Sequence, residues 1–184
     1  MVSDDLQTGS DALLAPLARA MVDQPRATLQ DLARAVGVSK ATLYRYCRTR
    51  EQLIQRLVDH SIDMFEKALR QSALDSAPPL EALRRLIAHN LRHPELTTFL
   101  LYYWRDGAAR AEDTAAECDS LLDAFFLRGQ EQGVFRIDVP AQALTEIWTF
   151  LWVGLVEAER RGRVARAGLA TTIESAFLKG ALAA

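Results

Sequence analysis

The segment from Thr28 to Ile54 decides the fold of this chain, and its sequence is TLQDLARAVGVSKATLYRYCRTREQLI. Thr28 followed by Asp31 three positions later is typical of a helix N-cap, and apolar residues then recur at helical spacing. Gly37 comes after the last of them, where a left-handed residue ends a helix at little cost. Ser39 is a second candidate N-cap. The segment therefore predicts two short helices around a glycine turn, an arrangement that can present a helix to the major groove of DNA.

Other residues of the segment support this interpretation. Thr49 with Gln52 predicts a third N-cap, opening a longer amphipathic helix. Ala33, Gly37 and Leu43 match the needs of a helix-turn-helix, which are a small residue at the helix crossing, a turn glycine and a core leucine.

The stretch GVSKATLYRYCRTREQLI, residues 37–54, resembles the DNA-binding domain of the tetracycline-repressor (TetR) family. The resemblance covers about residues 10–65, and beyond them it is one of architecture only. It implies an all-α protein, with a three-helix DNA-binding domain and connecting helix in residues 1–72 and a helical effector-binding and dimerisation domain in residues 73–184. The implied function is a ligand-responsive transcriptional regulator, most simply a repressor, that binds a palindromic operator as a dimer.

The sequence departs from the family pattern at several points. Cys47 stands where the family usually has a core phenylalanine, and Arg50 replaces the usual lysine. The usual glycine between the first two helices is missing, and residues 23–25 are predicted to form that turn. Pro16 would cost about 3 kcal/mol inside a helix unless it lies in the first turn, so the first helix is expected to start late or to bend.

Charge is distributed unevenly along the chain. The overall formal charge is −2, but residues 19–50 contain seven basic and two acidic residues, a net +5. Residues 51–184 contain 15 basic and 19 acidic residues, a net −4. Because phosphate neutralisation is local, the basic segment favours DNA as a partner, although a solvated basic helix surface is the alternative.

The resemblance assigns DNA contacts by position. The predicted DNA-binding residues are Gln30, Ser39, Lys40, Ala41, Thr42, Tyr44, Arg45, Tyr46 and Arg50. Gln30, Lys40 and Ala41 match positions where base edges are contacted, and glutamine and lysine suit adenine and guanine edges. The hydroxyl, phenol and guanidinium groups of the others can donate to phosphates. Alternatively the two tyrosines pack against a neighbouring helix, and Arg45 is merely exposed.

After the breaker-rich stretch of residues 73–79 the pattern is helical throughout. The predicted helices are Leu80 to His93, Pro94 to Trp104, Asp113 to Gln132, Pro140 to Arg161 and Leu169 to Leu182. The last two have more apolar surface than one core needs, which predicts a homodimer formed through them. A single thick core without a dimer is the alternative.

Aromatic residues are concentrated between the breaker-rich stretch and the last helices. In a TetR-like regulator this region encloses the effector, which predicts a small, largely apolar or aromatic ligand. The predicted ligand-binding residues are Tyr103, Trp104, Phe126, Trp148 and Trp152. Ordinary core packing is the alternative for each of them.

Other classes of function find little support in the sequence. There is no catalytic or phosphate-binding motif, which predicts a protein that is not an enzyme and has no cofactor. His89 and His93 are spaced for a shared metal, with Glu95 nearby, but Pro94 should break the helix there, and no metal site is predicted. The remaining alternative is an all-helical small-molecule-binding protein with weak or lost DNA binding.

The sequence also predicts the compartment. No apolar run is long enough for a membrane span and no secretory leader is present, so a cytoplasmic location is expected. Cys47 and Cys118 are expected to be small buried hydrophobes and not a disulfide.

Overall fold

The computed structural model describes residues 3–103 and 109–183, and within these ranges it contains nine α-helices and one isolated bridge between Phe135 and Leu182. The helices are α1 (Ser3–Asp23), α2 (Leu29–Ala35), α3 (Lys40–Tyr46), α4 (Arg50–Ser72), α5 (Pro79–Asn90), α6 (Pro94–Tyr103), α7 (Ala109–Glu131), α8 (Ala141–Arg160) and α9 (Leu169–Ala181). The predicted all-α class is confirmed, and the predicted helices of the second half agree with α5 to α9 within a few residues at most ends.

The three predicted N-caps are present. Thr28 Oγ1 accepts a hydrogen bond from the Asp31 amide at 3.2 Å, and the Thr28 amide donates to the Asp31 carboxylate at 3.1 Å. Ser39 Oγ accepts from the Thr42 amide at 3.0 Å. Thr49 Oγ1 accepts from the Gln52 amide at 3.2 Å. Each bond satisfies an amide that a helix start would otherwise leave unpaired.

The first helix does not start late, so that part of the expectation is wrong. α1 runs continuously from Ser3 to Asp23 with Pro16 inside it. Leu17, Ala18 and Met21 are fully buried on its inner face. Packing of that face offsets the lost backbone hydrogen bond, because most helical stability in proteins comes from burial.

The chain divides into two compact units. The first unit comprises the described residues of Met1–Met64 and His93–Ala111, and the second those of Phe65–Arg92 and Glu112–Ala184. The predicted boundary at residue 72 differs from this division, because the break falls within α4 and α6 belongs to the first unit. The reason is burial, since Leu96, Phe99 and Tyr103 of α6 share a core with α1 to α4.

An aromatic core holds the second unit together. Phe126, at 0% exposure, lies within 5.4 Å of the Phe135 ring and 5.5 Å of the Phe177 ring, measured between centroids. Trp148 meets Phe177 edge-on at 5.2 Å and lies 6.2 Å from Trp152. Such tilted pairs stabilise a core beyond the apolar area they bury.

The cysteine, histidine and membrane-span predictions can be compared with this fold. Cys47 and Cys118 are both buried and not joined to each other. α5 ends at Asn90, so His89 and His93 do not lie on one helix. In the part of the chain that the structure describes, no group of three or more His, Cys, Asp or Glu residues could hold a metal. None of the helices within residues 3–103 and 109–183 is both long and apolar enough to cross a membrane.

Candidate nucleic-acid interface

The α3 helix has one buried edge and one broad exposed face. Leu43 is 0% exposed and lies in the core of the first unit. Lys40, Ala41, Tyr44 and Arg45 are exposed. At 100° per residue these four positions span an arc of about 140°, so one face of α3 is available to a partner.

Two small, buried side chains allow α3 to pack closely on its neighbours. Ala33 of α2 is 2% exposed and Cys47, at the end of α3, is 3% exposed. The Cys47 thiol donates to the Leu43 carbonyl at 3.6 Å, and burial raises its pKa above the ordinary value. Cys47 thus occupies a core position as a neutral thiol. The family that this sequence resembles usually has a phenylalanine there.

Gly37 makes the turn between α2 and α3. Its φ of +74° lies in the left-handed region, which glycine adopts without strain. The Val38 amide donates to the Ala33 carbonyl at 2.9 Å, closing the end of α2. We call residues 28–47, which comprise α2, this turn and α3 with their caps, the helix-turn-helix segment.

Two predicted contact residues of α3 are already paired with each other. The Lys40 ammonium lies 5.3 Å from the centroid of the Tyr44 ring, within cation–π range. Tyr44 is 40% exposed, so the pair offers an ammonium and a phenol on the same open face. This combination can contact both a base edge and a phosphate.

The other predicted contacts have mixed surroundings. Gln30 is exposed on the first turn of α2. The hydroxyls of Ser39 and Thr42 lie 2.8 Å apart, so both serve the cap of α3. Tyr46 is half-buried, and the Arg56 guanidinium lies 4.7 Å from its ring centroid. These positions keep α3 in place as much as they face outward.

The electrostatics of the segment favour an anionic partner. No acidic residue occurs between Leu32 and Arg50. Asp31 is in contact with Arg34 at 3.3 Å. Hydrogen bonds from Thr28 hold the pKa of the Asp31 carboxyl below its ordinary value, so this aspartate is committed to the cap of α2. The exposed face of α3 is left cationic, through Lys40 and Arg45.

Arg50 has partners that the sequence pattern does not predict. Its Nη2 donates to the Pro25 carbonyl at 2.7 Å and to the Tyr103 hydroxyl at 3.1 Å. The residue is half-buried, whereas Lys40 and Arg45 are exposed. The Arg50 guanidinium is therefore already hydrogen-bonded to other residues of the first unit.

Of the four predicted ligand-binding residues that the structure describes, three lie together. Phe126, Trp148 and Trp152 lie together in the core of the second unit. Tyr103 is buried in the first unit, and Trp104 lies outside the described residues.

A cavity of about 380 Å³ in the second unit is lined by none of the five predicted ligand-binding residues. Leu69 and Leu74 lie on one side of it, and Cys118 and Leu121 of α7 on the other. No sequence signal marks it, because these residues come from α4, the link that follows it and α7, whose pairing depends on tertiary packing.

Two capped helices around a left-handed glycine, with a cationic exposed face on the second, define a helix-turn-helix DNA-binding protein. Residues 25–57 match the model of a family described as bacterial regulatory proteins, tetR family. The matched region contains the whole helix-turn-helix segment and the beginning of α4.

The transcriptional regulator NfxB of Pseudomonas aeruginosa is 48% identical to this chain over 174 residues, which cover 93% of both proteins. The transcriptional repressor LfrR of Mycolicibacterium smegmatis is 30% identical over 107 residues, covering 55% of this chain and 57% of LfrR. The chain belongs to the TetR family of bacterial regulatory proteins. The predicted function class, a ligand-responsive DNA-binding transcriptional regulator, is thereby confirmed.

Solved structures share the fold. The structure of LfrR in complex with proflavine superposes with a TM-score of 0.70 at 22% identity, covering 95% of this chain and 97% of LfrR. The structure of AibR in complex with isovaleryl coenzyme A and operator DNA gives a TM-score of 0.63 at 22% identity, covering 91% of this chain and 96% of AibR.

Proposed function

We propose that a homodimer of this chain represses transcription by binding a roughly palindromic operator through α3, and that a small effector bound in the second unit releases it. The observation that carries this proposal is the exposed cationic face of α3, with Lys40 and Tyr44 paired at 5.3 Å above a fully buried Leu43. A helix held rigidly from behind and open in front suits the major groove.

Within the operator complex, the residues divide by chemistry. Lys40, Ala41 and Gln30 contact base edges, with lysine suited to guanine and glutamine to adenine. Tyr44 and Thr42 contact phosphates and fix the register.

The dimer is supported by the outer faces of α8 and α9. Ile147 is 52% exposed and Phe150 is 70% exposed on α8, although both are apolar. On α9, Ala176 and Gly180 are exposed, and open space surrounds the position where a Cβ of Gly180 would stand. An apolar stripe beside a stripe of small residues lets helices of a second copy approach closely.

A twofold dimer also suits the DNA. Two α3 helices related by a twofold axis contact successive major grooves when they stand one helical turn apart, about 34 to 36 Å. An effector that binds more tightly to a dimer with another spacing lowers operator affinity by that difference in affinity. α4 contributes residues to both units and is the connection through which this change passes.

The effector site is supported by the aromatic core of the second unit. Trp152 is 4% exposed, and its indole N–H has no hydrogen-bond partner among the described residues. An unpaired buried donor costs about 1–3 kcal/mol, which a ligand with an acceptor atom would recover. LfrR, whose structure contains proflavine, is a family member with an aromatic ligand. A small, largely apolar or aromatic effector with one acceptor fits this chemistry.

The relatives are transcriptional regulators, and we assign no catalytic step to this chain. Because operator DNA lies in the bacterial cytoplasm, a repressor of this kind acts there.

The decisive experiment is duplex DNA binding across a salt series, using the promoter region of the protein's own operon. A dimer with several phosphate contacts should lose about a thousandfold or more in affinity between about 50 and 200 mM salt. A scrambled duplex of the same length is the control for sequence selectivity. If no sequence-selective complex forms even at the lower salt concentration, the repressor proposal fails. A ligand screen by thermal shift then identifies the effector.

A further inference from the structure

Arg50 joins three elements of the first unit. It is the first residue of α4, and one of its terminal nitrogens donates both to the Pro25 carbonyl, at 2.7 Å, and to the Tyr103 hydroxyl, at 3.1 Å. Pro25 lies in the turn between α1 and α2, and Tyr103 is the last residue of α6. A single side chain thus links the turn that leads into the helix-turn-helix segment with the end of a distant helix.

The position of the Tyr103 hydroxyl is fixed by packing. The residue is 8% exposed, and its ring stacks on Phe99 with a centroid separation of 4.4 Å and an angle of 22° between the planes. Phe99 is itself fully buried. Because the ring cannot swing freely, the hydroxyl can hold a hydrogen-bond partner in one place.

The Pro25 carbonyl lies in a short turn next to the cap of α2. The Ala27 amide donates to the Gln24 carbonyl at 3.0 Å within this turn, and Thr28 follows as the N-cap of α2. Any movement of Pro25 is therefore passed to α2 through only a few residues.

A cavity of about 220 Å³ lies beside Arg50. The cavity lies within the first unit and is lined by Met21, Val22, Pro25, Arg50, Tyr102 and Tyr103. Arg50 borders this half-open cavity together with residues of α1 and α6.

We propose that Arg50 is a positioning residue for operator binding, which sets the helix-turn-helix segment against α6 through Pro25 and Tyr103 and does not itself bind phosphate. This role rests on the proposed operator binding. An arginine suits it because the planar guanidinium donates from one nitrogen in two fixed directions, whereas a lysine is a point charge on a flexible four-carbon stem. Displacement of α6 would move the segment through this link.

The experiment compares the variants Arg50→Lys, Arg50→Gln and Tyr103→Phe in operator binding over the salt series. Each should weaken binding to the operator by about fivefold or more, because a hydrogen bond to a charged group is lost. Binding to the scrambled duplex and the slope of log affinity against log salt should stay at wild-type values. The double variant with Arg50→Gln and Tyr103→Phe should bind no more weakly than the weaker single variant.

Matched controls separate positioning from other roles. Tyr102→Phe removes the hydroxyl of the neighbouring tyrosine, which is 49% exposed, and should bind like wild type. A phosphate contact would predict that Arg50→Lys retains affinity and that Arg50→Gln lowers the salt slope by about 2 per dimer, with Tyr103→Phe unaffected. That result overturns the proposal, and so does wild-type operator affinity in Tyr103→Phe.

A measurement without DNA keeps this proposal separate from the proposed function. Hydrogen exchange at the Ala27 amide should be faster in both Arg50→Gln and Tyr103→Phe, because the turn loses its link to α6. If the wild-type protein binds no operator, repression fails as a function while this link can still be confirmed. Unchanged exchange at Ala27 in both variants overturns the link.

Discussion

Replacing Phe150 by alanine should weaken the dimer. A phenylalanine side chain presents about 200 Å², and 70% exposure of Phe150 leaves about 140 Å² per protomer available to a partner. Two such faces amount to about 280 Å², or about 7 kcal/mol at 25 cal/mol per Å² if they were fully covered. An alanine side chain retains roughly a third of this apolar area, so the substitution removes about two thirds of it. If the partner covers only about half of the removed area, the dimer loses about 2 kcal/mol of association free energy.

That loss corresponds to a rise of about 30-fold in the dimer dissociation constant. Sedimentation equilibrium of wild type and Phe150→Ala over a range of protein concentrations measures it. Ile137→Ala is the control, since Ile137 is 83% exposed but lies in the connection between α7 and α8. An unchanged dissociation constant in Phe150→Ala, or an equal loss in Ile137→Ala, would refute the assignment of the α8 face to the dimer.

Three further predictions concern stability and reactivity. Gly37→Ala should destabilise the protein by about 1–2 kcal/mol in urea unfolding, because φ is +74° while open space surrounds the position of the new Cβ; wild-type stability would show that the turn can relax. Folding lowers the pKa of the Asp31 carboxyl from its unfolded value near 3.8. The ionised carboxylate therefore stabilises the fold fully at pH above that unfolded pKa, and this stabilisation is lost as the pH falls through the lower folded pKa. Asp31→Asn should therefore lose most stability relative to wild type at neutral pH and least at pH about 2 to 3, and a pH-independent difference between their melting temperatures would contradict the cap's ionic character. Burial, aided by neighbouring carboxylates, raises the pKa of Cys118 to about 12, so alkylation of the folded protein at pH about 8 should be far slower than that of the urea-unfolded chain; equal rates would contradict burial of a neutral thiol.

Local features of the helix-turn-helix segment could be predicted from the sequence. The caps at Thr28, Ser39 and Thr49 join atoms that are three residues apart, so residue type and spacing nearly determine them. Gly37 is predictable for a similar reason, since few other residues adopt a positive φ without strain.

The assignment of α6 to the first unit could not be predicted. Its apolar pattern indicates a buried helix but does not say which core receives it. Leu96, Phe99 and Tyr103 pack with α1, far away in sequence. The same limitation explains why the sequence pattern groups Tyr103 with Trp148 as predicted ligand contacts, although the two lie in different units.

Arg50 and Pro16 show two other limits. Arg50 matches a family position for phosphate binding, but its partners, Pro25 and Tyr103, are 25 and 53 residues away along the chain. For Pro16, the propensity cost of about 3 kcal/mol is real, but burial of one face of α1 outweighs it. In both cases tertiary contacts decide the outcome, and single-sequence patterns do not contain them.

The central claim is that the exposed face of α3 binds the operator, and the variants Lys40→Ala and Tyr44→Ala test it most directly. The measurement is operator affinity over the salt series, with Lys67→Ala, an exposed lysine on α4 in the second unit, as the control. Each α3 variant should lose about tenfold or more in affinity, since each contact is worth about 1–3 kcal/mol, while dimerisation and melting temperature stay at wild-type values. Wild-type operator affinity in both α3 variants, or an equal loss of DNA binding, dimerisation and stability, would contradict the claim.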